Sequence, residues 1–117
     1  MFNKTKLENG AVKISTKGID YLHDRIEIYC CDKNYYTDDG YIYAEYFPLI
    51  EDEEQLAIDK MQQVAKTLNI EFDLVNKEFY VKNADEEFSV TRLIQAYSVV
   101  SWIIHDKTIA QLKEVTR

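Results

Sequence analysis

The chain has 117 residues, of which 46% are hydrophobic, and it contains only three glycines and one proline. This composition predicts one folded domain over residues 1–117 and excludes a disordered or low-complexity chain. The net charge of −7 at pH 7 argues against direct binding to nucleic acid or to an anionic membrane.

The first ten residues lack the apolar run of a signal peptide, and no apolar stretch approaches the ~20 residues that a membrane-spanning helix needs. We therefore expect a cytoplasmic protein without a membrane partner. The adjacent Cys30 and Cys31 lie in an expected strand, where neighbouring side chains point to opposite faces. Neither a disulfide between them nor a zinc site is expected, and no motif implies a cofactor.

The first half of the chain has the pattern of antiparallel strands. Asn9-Gly10 predicts a tight turn before an alternating strand that ends near Thr16. Residues 17–24 are expected to form a loop or a single helical turn. Residues 25–31 alternate again, which predicts a second strand with Ile26, Ile28 and Cys30 on one face and Arg25, Glu27, Tyr29 and Cys31 on the other.

Turns and short strands are expected to complete this meander of three to four strands. Residues 32–34 have turn chemistry, residues 35–37 predict a short strand, and Asp38-Asp39-Gly40 predicts a second turn. Residues 41–47 are interpreted as a strand or an extended segment. Pro48 is expected to mark the change from strands to helix.

The second half predicts a helix, a hairpin and a long helix. A helix is expected from about Asp52, with Asn69 at its C-cap. Residues 70–75 and 78–82 predict a hairpin, with Ile70, Phe72, Leu74, Phe79 and Val81 facing inward.

Asn83 and Glu86 resemble a capping box before a long helix. The residues from 107 onward predict a short, separate terminal helix. The apolar stripe of the long helix is Val90, Leu93, Ile94, Tyr97, Val100 and Ile104. Because strands and helices are segregated along the chain, the predicted fold class is α+β.

Several segments occur in the order that one phage family shows. They are KISTKGIDYLHDRIEIYCC, YYTDDGY, LNIEFDLVNKEFYVK and RLIQAYSVV, within residues 11–104, and Thr37-Asp38-Asp39-Gly40 is the sharpest of them. In this respect the chain resembles the phage and prophage family catalogued as domain of unknown function 1828. It departs from the family at Thr16-Lys17, where the family often has Thr-Pro. The resemblance implies a phage protein acting in a bacterial host cell, and it carries no established activity that a residue could inherit.

Residues 34–59 contain eight of the 21 acidic residues, five of the nine tyrosines and neither lysine nor arginine. Exposed tyrosines among carboxylates make a good binding surface, and the charge selects a basic partner. We therefore predict a non-enzymatic protein that binds another protein. The candidate partners are a host nuclease and a DNA-binding protein of host defence. The acidic surface would imitate the nucleic acid that such a partner binds. The predicted contact residues are Tyr35, Tyr36, Asp38, Asp39, Tyr41, Tyr43, Glu45, Glu51, Asp52, Glu53 and Glu54.

Two other functions stay open at this point. Carboxylates from neighbouring strands could bind Mg²⁺ in a nuclease-like or phosphoryl-transfer domain, and the candidates are Glu27, Asp38, Asp39 and Glu45. A tight turn is the simpler interpretation of Asp-Asp-Gly. The long helix also carries a second apolar set, which predicts a homodimer through Val99, Trp102 and Ile103.

The two histidines, His23 and His105, are each followed by aspartate, but neither has a serine or cysteine partner in a recognisable motif. We therefore assign no catalytic residue and no resident metal.

Overall fold

We describe the protein from a computed structural model, which covers residues 3–19, 25–32, 34–50 and 53–115. Its elements are the strands β1 (Asn3–Lys6), β2 (Val12–Ile19), β3 (Arg25–Asp32) and β4 (Tyr35–Thr37), the helices α1 (Tyr41–Ile50) and α2 (Glu54–Leu68), the hairpin β5 (Glu71–Asp73) and β6 (Glu78–Lys82), and the helix α3 (Glu86–Val115). The predicted α+β class is confirmed.

All the strands pair antiparallel in one sheet, whose order is β1-β2-β3-β4-β6-β5. The chain leaves the sheet after β4, forms α1 and α2, and returns through β5 and β6. As a result β6 pairs with β4, and β5 becomes an edge strand. This return joins the N-terminal meander and the C-terminal hairpin, which are distant in sequence, into a single sheet.

The helices cover one face of the sheet, which we call the inner face. Helix α3 packs on β3, β4 and β6, while α1 packs on β6 and α2 on β5. The core forms between this face and the helices. Its largest fully buried apolar side chains are Ile14, Ile28, Ile42, Tyr46, Met61, Phe79, Val90, Leu93, Tyr97 and Val100. None of the helices in the described part of the chain has the length and apolar character needed to cross a membrane.

Most of the predicted elements are confirmed. The hydrophobic stripe of α2 is buried at Ala57, Met61, Val64, Ala65 and Leu68, and Asn69 ends the helix in the left-handed conformation with φ 59°. On β3, Ile26 and Ile28 are buried as predicted. The apolar stripe of α3 also faces the core, apart from Ile94, which is half-buried.

The interpretation of residues 41–47 as a strand is wrong, because they form helix α1. Ile42, Tyr43 and Tyr46 are buried, at the spacing i, i+1, i+4 of a helix face, and the same short run also fits strand alternation. The predicted switch at Pro48 consequently falls inside α1. The meander still has four strands because β1, which the sequence did not predict, pairs with β2 across the expected turn.

Three smaller corrections concern the second half of the chain. Leu74 is 51% exposed because β5 ends at Asp73 and the turn begins there. Asp85, and not Asn83, caps α3, since its carboxylate accepts the Phe88 N–H at 2.7 Å. Asn83 instead has φ 60° and donates its backbone N–H to Asn34. The terminal segment is continuous with α3, because no glycine or proline interrupts it.

Candidate protein-binding face

The predicted contact segment is divided between the core and the surface. Tyr36 and Tyr43 are buried, and Asp38 is 0% exposed, so these three side chains are not available to a partner. They fill the core because β4 turns Tyr36 inward and α1 turns Tyr43 toward Phe47 and Phe72, at ring distances of 5.3 and 6.2 Å. Burial, together with the nearby Glu54 carboxylate, raises the pKa of Tyr43.

The remaining predicted contact residues that the structure describes lie on different elements. Tyr41 is half-buried against the rings of Tyr46 and Tyr97, at 6.5 and 5.8 Å. Asp39 and Glu45 are exposed, as are Glu53 and Glu54 at the start of α2. Glu51 and Asp52 lie outside the described residues. Tyr35 is the one tyrosine of the segment that stands half-exposed on the sheet.

Asp38 is a structural carboxylate between β4, α1 and β6. Its Oδ1 accepts the backbone N–H groups of Phe79 at 2.8 Å and Gly40 at 3.2 Å, and its Oδ2 accepts that of Ile42 at 2.8 Å. Burial raises the pKa of the Asp38 carboxyl to about 7, although these three donors lower it. The predicted Asp-Asp-Gly turn is present, and Gly40 adopts φ +78° within it, but the turn opens a helix.

This geometry removes Asp38 from the alternative metal site, because both of its oxygens are already occupied by backbone donors. Glu27 lies on β3 and accepts a hydrogen bond from Ser15, and Glu45 lies on α1. Within the described ranges, no three side chains of His, Cys, Asp or Glu come together in an arrangement that could hold a metal ion. The four proposed carboxylates therefore do not form a common site. Of the two histidines, His23 lies outside the described residues, and His105 stacks on Trp102 at 5.5 Å.

A different set of side chains occupies the outer face of the sheet, which the helices leave uncovered. The strand register places Tyr29 opposite Thr37, Thr37 opposite Tyr80 and Tyr80 opposite Glu71. Because side chains alternate along a strand, Tyr35, Asp73 and Glu78 project on this same side. Thr37, between two tyrosines, is only 1% exposed, and its hydroxyl donates to the Phe79 carbonyl at 2.8 Å.

We call this region the tyrosine–acid face. It consists of three half-exposed tyrosines and five nearby carboxylates, namely Tyr29, Tyr35, Tyr80, Glu27, Asp39, Glu71, Asp73 and Glu78. Among the described side chains of the outer face, Lys13 lies 3.5 Å from Glu27 and the exposed Lys82 lies opposite Tyr35.

The neighbouring carboxylates act on the ionisation of the three tyrosines. Burial, followed by the charges of Glu27 and Asp39, raises the pKa of Tyr29. Burial also raises the pKa of Tyr80, with further contributions from Glu71, Asp73 and Glu78. The pKa of Tyr35 is raised by burial and by its hydrogen bond to Glu78. The face therefore has a negative potential at each ring, which favours cations.

Sequence reasoning missed six members of this face as protein-binding residues, namely Tyr29, Tyr80, Glu27, Glu71, Asp73 and Glu78, of which Glu27 was considered only as a metal ligand. Part of the signal was present, since alternation in β3 and β6 places Glu27 with Tyr29 and Glu78 with Tyr80. What the sequence did not provide was the strand order that brings β3, β4, β6 and β5 side by side.

The predicted dimer residues differ in their exposure. Val99 and Ile103 are half-buried against the core of their own chain, whereas Trp102 is 67% exposed. Only Trp102 therefore presents most of its surface outward.

The chain matches no family model, no curated protein and no solved structure. The resemblance to the phage and prophage family stays a prediction.

Proposed function

We propose that this protein acts by binding a basic protein partner through the tyrosine–acid face. The observation that carries the proposal is the placement of three half-exposed tyrosines among five carboxylates on one open face of a sheet. Tyrosine supplies a large, rigid contact area at low entropic cost, and carboxylates steer a cationic partner into place. The rest of the chain supports this role by fixing the sheet from its inner face.

A nucleic-acid-binding protein is the class of partner that best fits this charge. Such proteins carry lysine and arginine to contact phosphate groups, and carboxylates on a rigid sheet can take the place of those phosphates. If the chain is a phage protein, as its resemblance implies, the partner would be a nuclease or DNA-binding protein of the bacterial host. The protein would then inhibit its partner by occupying the nucleic-acid site.

Charge reversal on the face should abolish most of this binding. Glu71→Lys together with Glu78→Lys replaces two acids beside Tyr80 by bases. We expect the affinity for the partner to fall by about 100-fold, because like charges placed opposite each other cost several kcal/mol. Affinity capture from a bacterial lysate with each variant as bait, followed by mass spectrometry and titration of the captured protein, measures the effect.

The matched control carries the same change of charge elsewhere. Glu53→Lys together with Glu54→Lys alters exposed acids at the start of α2 and should leave binding within a few-fold of the wild type. Raising the salt concentration should weaken the wild-type complex, because exposed charges are screened over about 10 Å at 0.1 M salt. A partner lost by the control variant and kept by the Glu71/Glu78 variant would place the contact on α2 and refute the proposal.

Homodimerisation is a second candidate function, which the exposure of Trp102 favours. Exposing a large apolar side chain to water is unfavourable, so a tryptophan with 67% exposure is typical of an interface residue. Trp102→Glu should raise the dissociation constant of the dimer at least tenfold. Gln95→Glu, at another exposed position of α3, should not change it in this way. Light scattering over a concentration series decides it, and a wild-type chain that is monomeric throughout would end this hypothesis.

A further inference from the structure

The tyrosine–acid face contains a pair of stacked rings. The rings of Tyr35 and Tyr80 lie 5.4 Å apart at an interplanar angle of 14°. They are diagonal neighbours on β4 and β6, because Tyr35 pairs with Lys82 and Thr37 pairs with Tyr80. A stack within the sheet presents rings whose positions are set before any partner arrives, so little entropy is lost on binding.

Carboxylates hold this pair and border it. The Tyr35 hydroxyl donates to Glu78 Oε1 at 2.6 Å, which fixes the ring, and no other described group donates to this carboxylate. Glu71 lies opposite Tyr80 on the edge strand β5, with Asp73 opposite Glu78. Asp73 already accepts the N–H groups of Val75 and Asn76. Its main contribution to the face is therefore its negative charge, and not its capacity to accept a further hydrogen bond. On the other side of the stacked pair, Lys82 lies opposite Tyr35 and places a positive charge there.

The combination of stacked rings and neighbouring carboxylates distinguishes arginine from lysine. A guanidinium group is planar, stacks on an aromatic ring and donates two parallel hydrogen bonds to one carboxylate. An ammonium group is a compact, strongly hydrated charge that gains less from a flat ring. Stacked rings with carboxylates at their border therefore offer arginine both of its preferred contacts.

We propose that the Tyr35–Tyr80 pair, bordered by Glu71 and Glu78, is an arginine-binding platform, so that the basic partner presents an arginine-containing segment to this face. This inference rests on the proposed function and specifies the chemistry of the partner. The guanidinium lies on the exposed ring surface and donates to the neighbouring carboxylate.

The test uses two synthetic peptides that are identical except that one carries arginine where the other carries lysine. Each is titrated into the isotopically labelled protein at low salt, and binding is followed by two-dimensional NMR. We expect the arginine peptide to bind about fivefold more tightly, which corresponds to an advantage of roughly 1 kcal/mol for the planar guanidinium over the ammonium group. The largest shifts should occur at Tyr80, Tyr35 and their neighbours.

Substitutions then locate the preference. Tyr80→Val keeps a strand-forming residue but removes one ring, so both peptides should bind equally. Tyr29→Val is the matched control, since Tyr29 is on the same face outside the stacked pair, and the preference should persist. If Tyr80→Val fails to fold, Tyr35→Val replaces it. Equal binding of both peptides to the wild type, or a preference that survives the loss of either stacked ring, would overturn the inference.

The outcomes also separate this inference from the proposed function. If the wild type binds both peptides equally and the Glu71→Lys, Glu78→Lys variant binds neither, the face recognises positive charge without preferring arginine. The proposed function then survives and the platform does not. If the wild type binds neither peptide, both ideas fail.

Discussion

Replacing Asp38 with alanine should destabilise the protein by about 3–5 kcal/mol, because two buried N–H groups, on Ile42 and Phe79, would lose their acceptor. The same carboxylate also holds the Gly40 N–H. It thereby ties the turn between β4 and α1 to β6, whose Phe79 lies 41 residues further along the chain. Urea denaturation followed by circular dichroism measures the loss.

The neighbouring aspartate gives the control. In Asp38→Asn one oxygen becomes an NH₂ group that faces a backbone donor, so a loss of about 1–3 kcal/mol is expected. Asp39→Asn alters an exposed side chain, and asparagine tolerates the left-handed φ of 58° at that position, so the change should stay within about 0.5 kcal/mol. An Asp38→Asn variant as stable as the wild type would contradict the structural role. The Asp38→Asn variant also allows the loss of stability to be measured if Asp38→Ala does not fold.

Stability should fall as the pH rises from about 4 to 7, and Asp38 should be the principal cause. Burial raises the pKa of this carboxyl from 3.8 to about 7, and the Glu78 charge adds to the shift. Between these two values the folded state binds more protons than the unfolded state, so the free energy of unfolding decreases with pH and levels off above about 7. The raised pKa sets an upper limit of about 4 kcal/mol on the change.

Comparison with Asp38→Asn isolates this effect, because the variant keeps every other titrating group. The wild-type stability minus the variant stability should decrease across the interval from pH 4 to 7 and be constant above it. Carbon-13 NMR of the Asp38 carboxyl gives the pKa of the folded state directly. Parallel pH profiles, or a measured pKa below 4, would show that the backbone donors outweigh burial.

Much of the fold could be predicted from local patterns. The stripe of α2, its end at Asn69 and the β5–β6 hairpin depend on contacts and conformations close in sequence. Helix α1 could not be assigned in this way, because the run Tyr41–Phe47 satisfies both periodicities. The Asp38 carboxylate and the left-handed Gly40 favour the helix, and the partners of Asp38 include Phe79, 41 residues away.

The candidate site was only partly predictable. The sequence indicated an acidic, tyrosine-rich surface with a preference for basic partners, and Tyr35 belongs to the face that the structure presents. It assigned too many contacts to residues 34–59, because charge density along a chain does not reveal which side chains turn inward. Tyr36 and Tyr43 are buried, and Tyr29 and Tyr80, from strands outside that segment, lie on the same face of the sheet as Tyr35.

The sequence by itself determined the α+β class, the net negative charge and the supply of tyrosines and carboxylates, because these depend on composition and short-range periodicity. Tertiary structure alone decided which of those groups meet. The order β3-β4-β6-β5 arises when the chain returns from α2 to pair β6 with β4, and this pairing is stabilised by contacts between residues about 45 positions apart. Burial of the apolar side chains on the whole inner face favours this pairing. The same pairing brings Tyr35 and Tyr80 together on the outer face, where their rings stack.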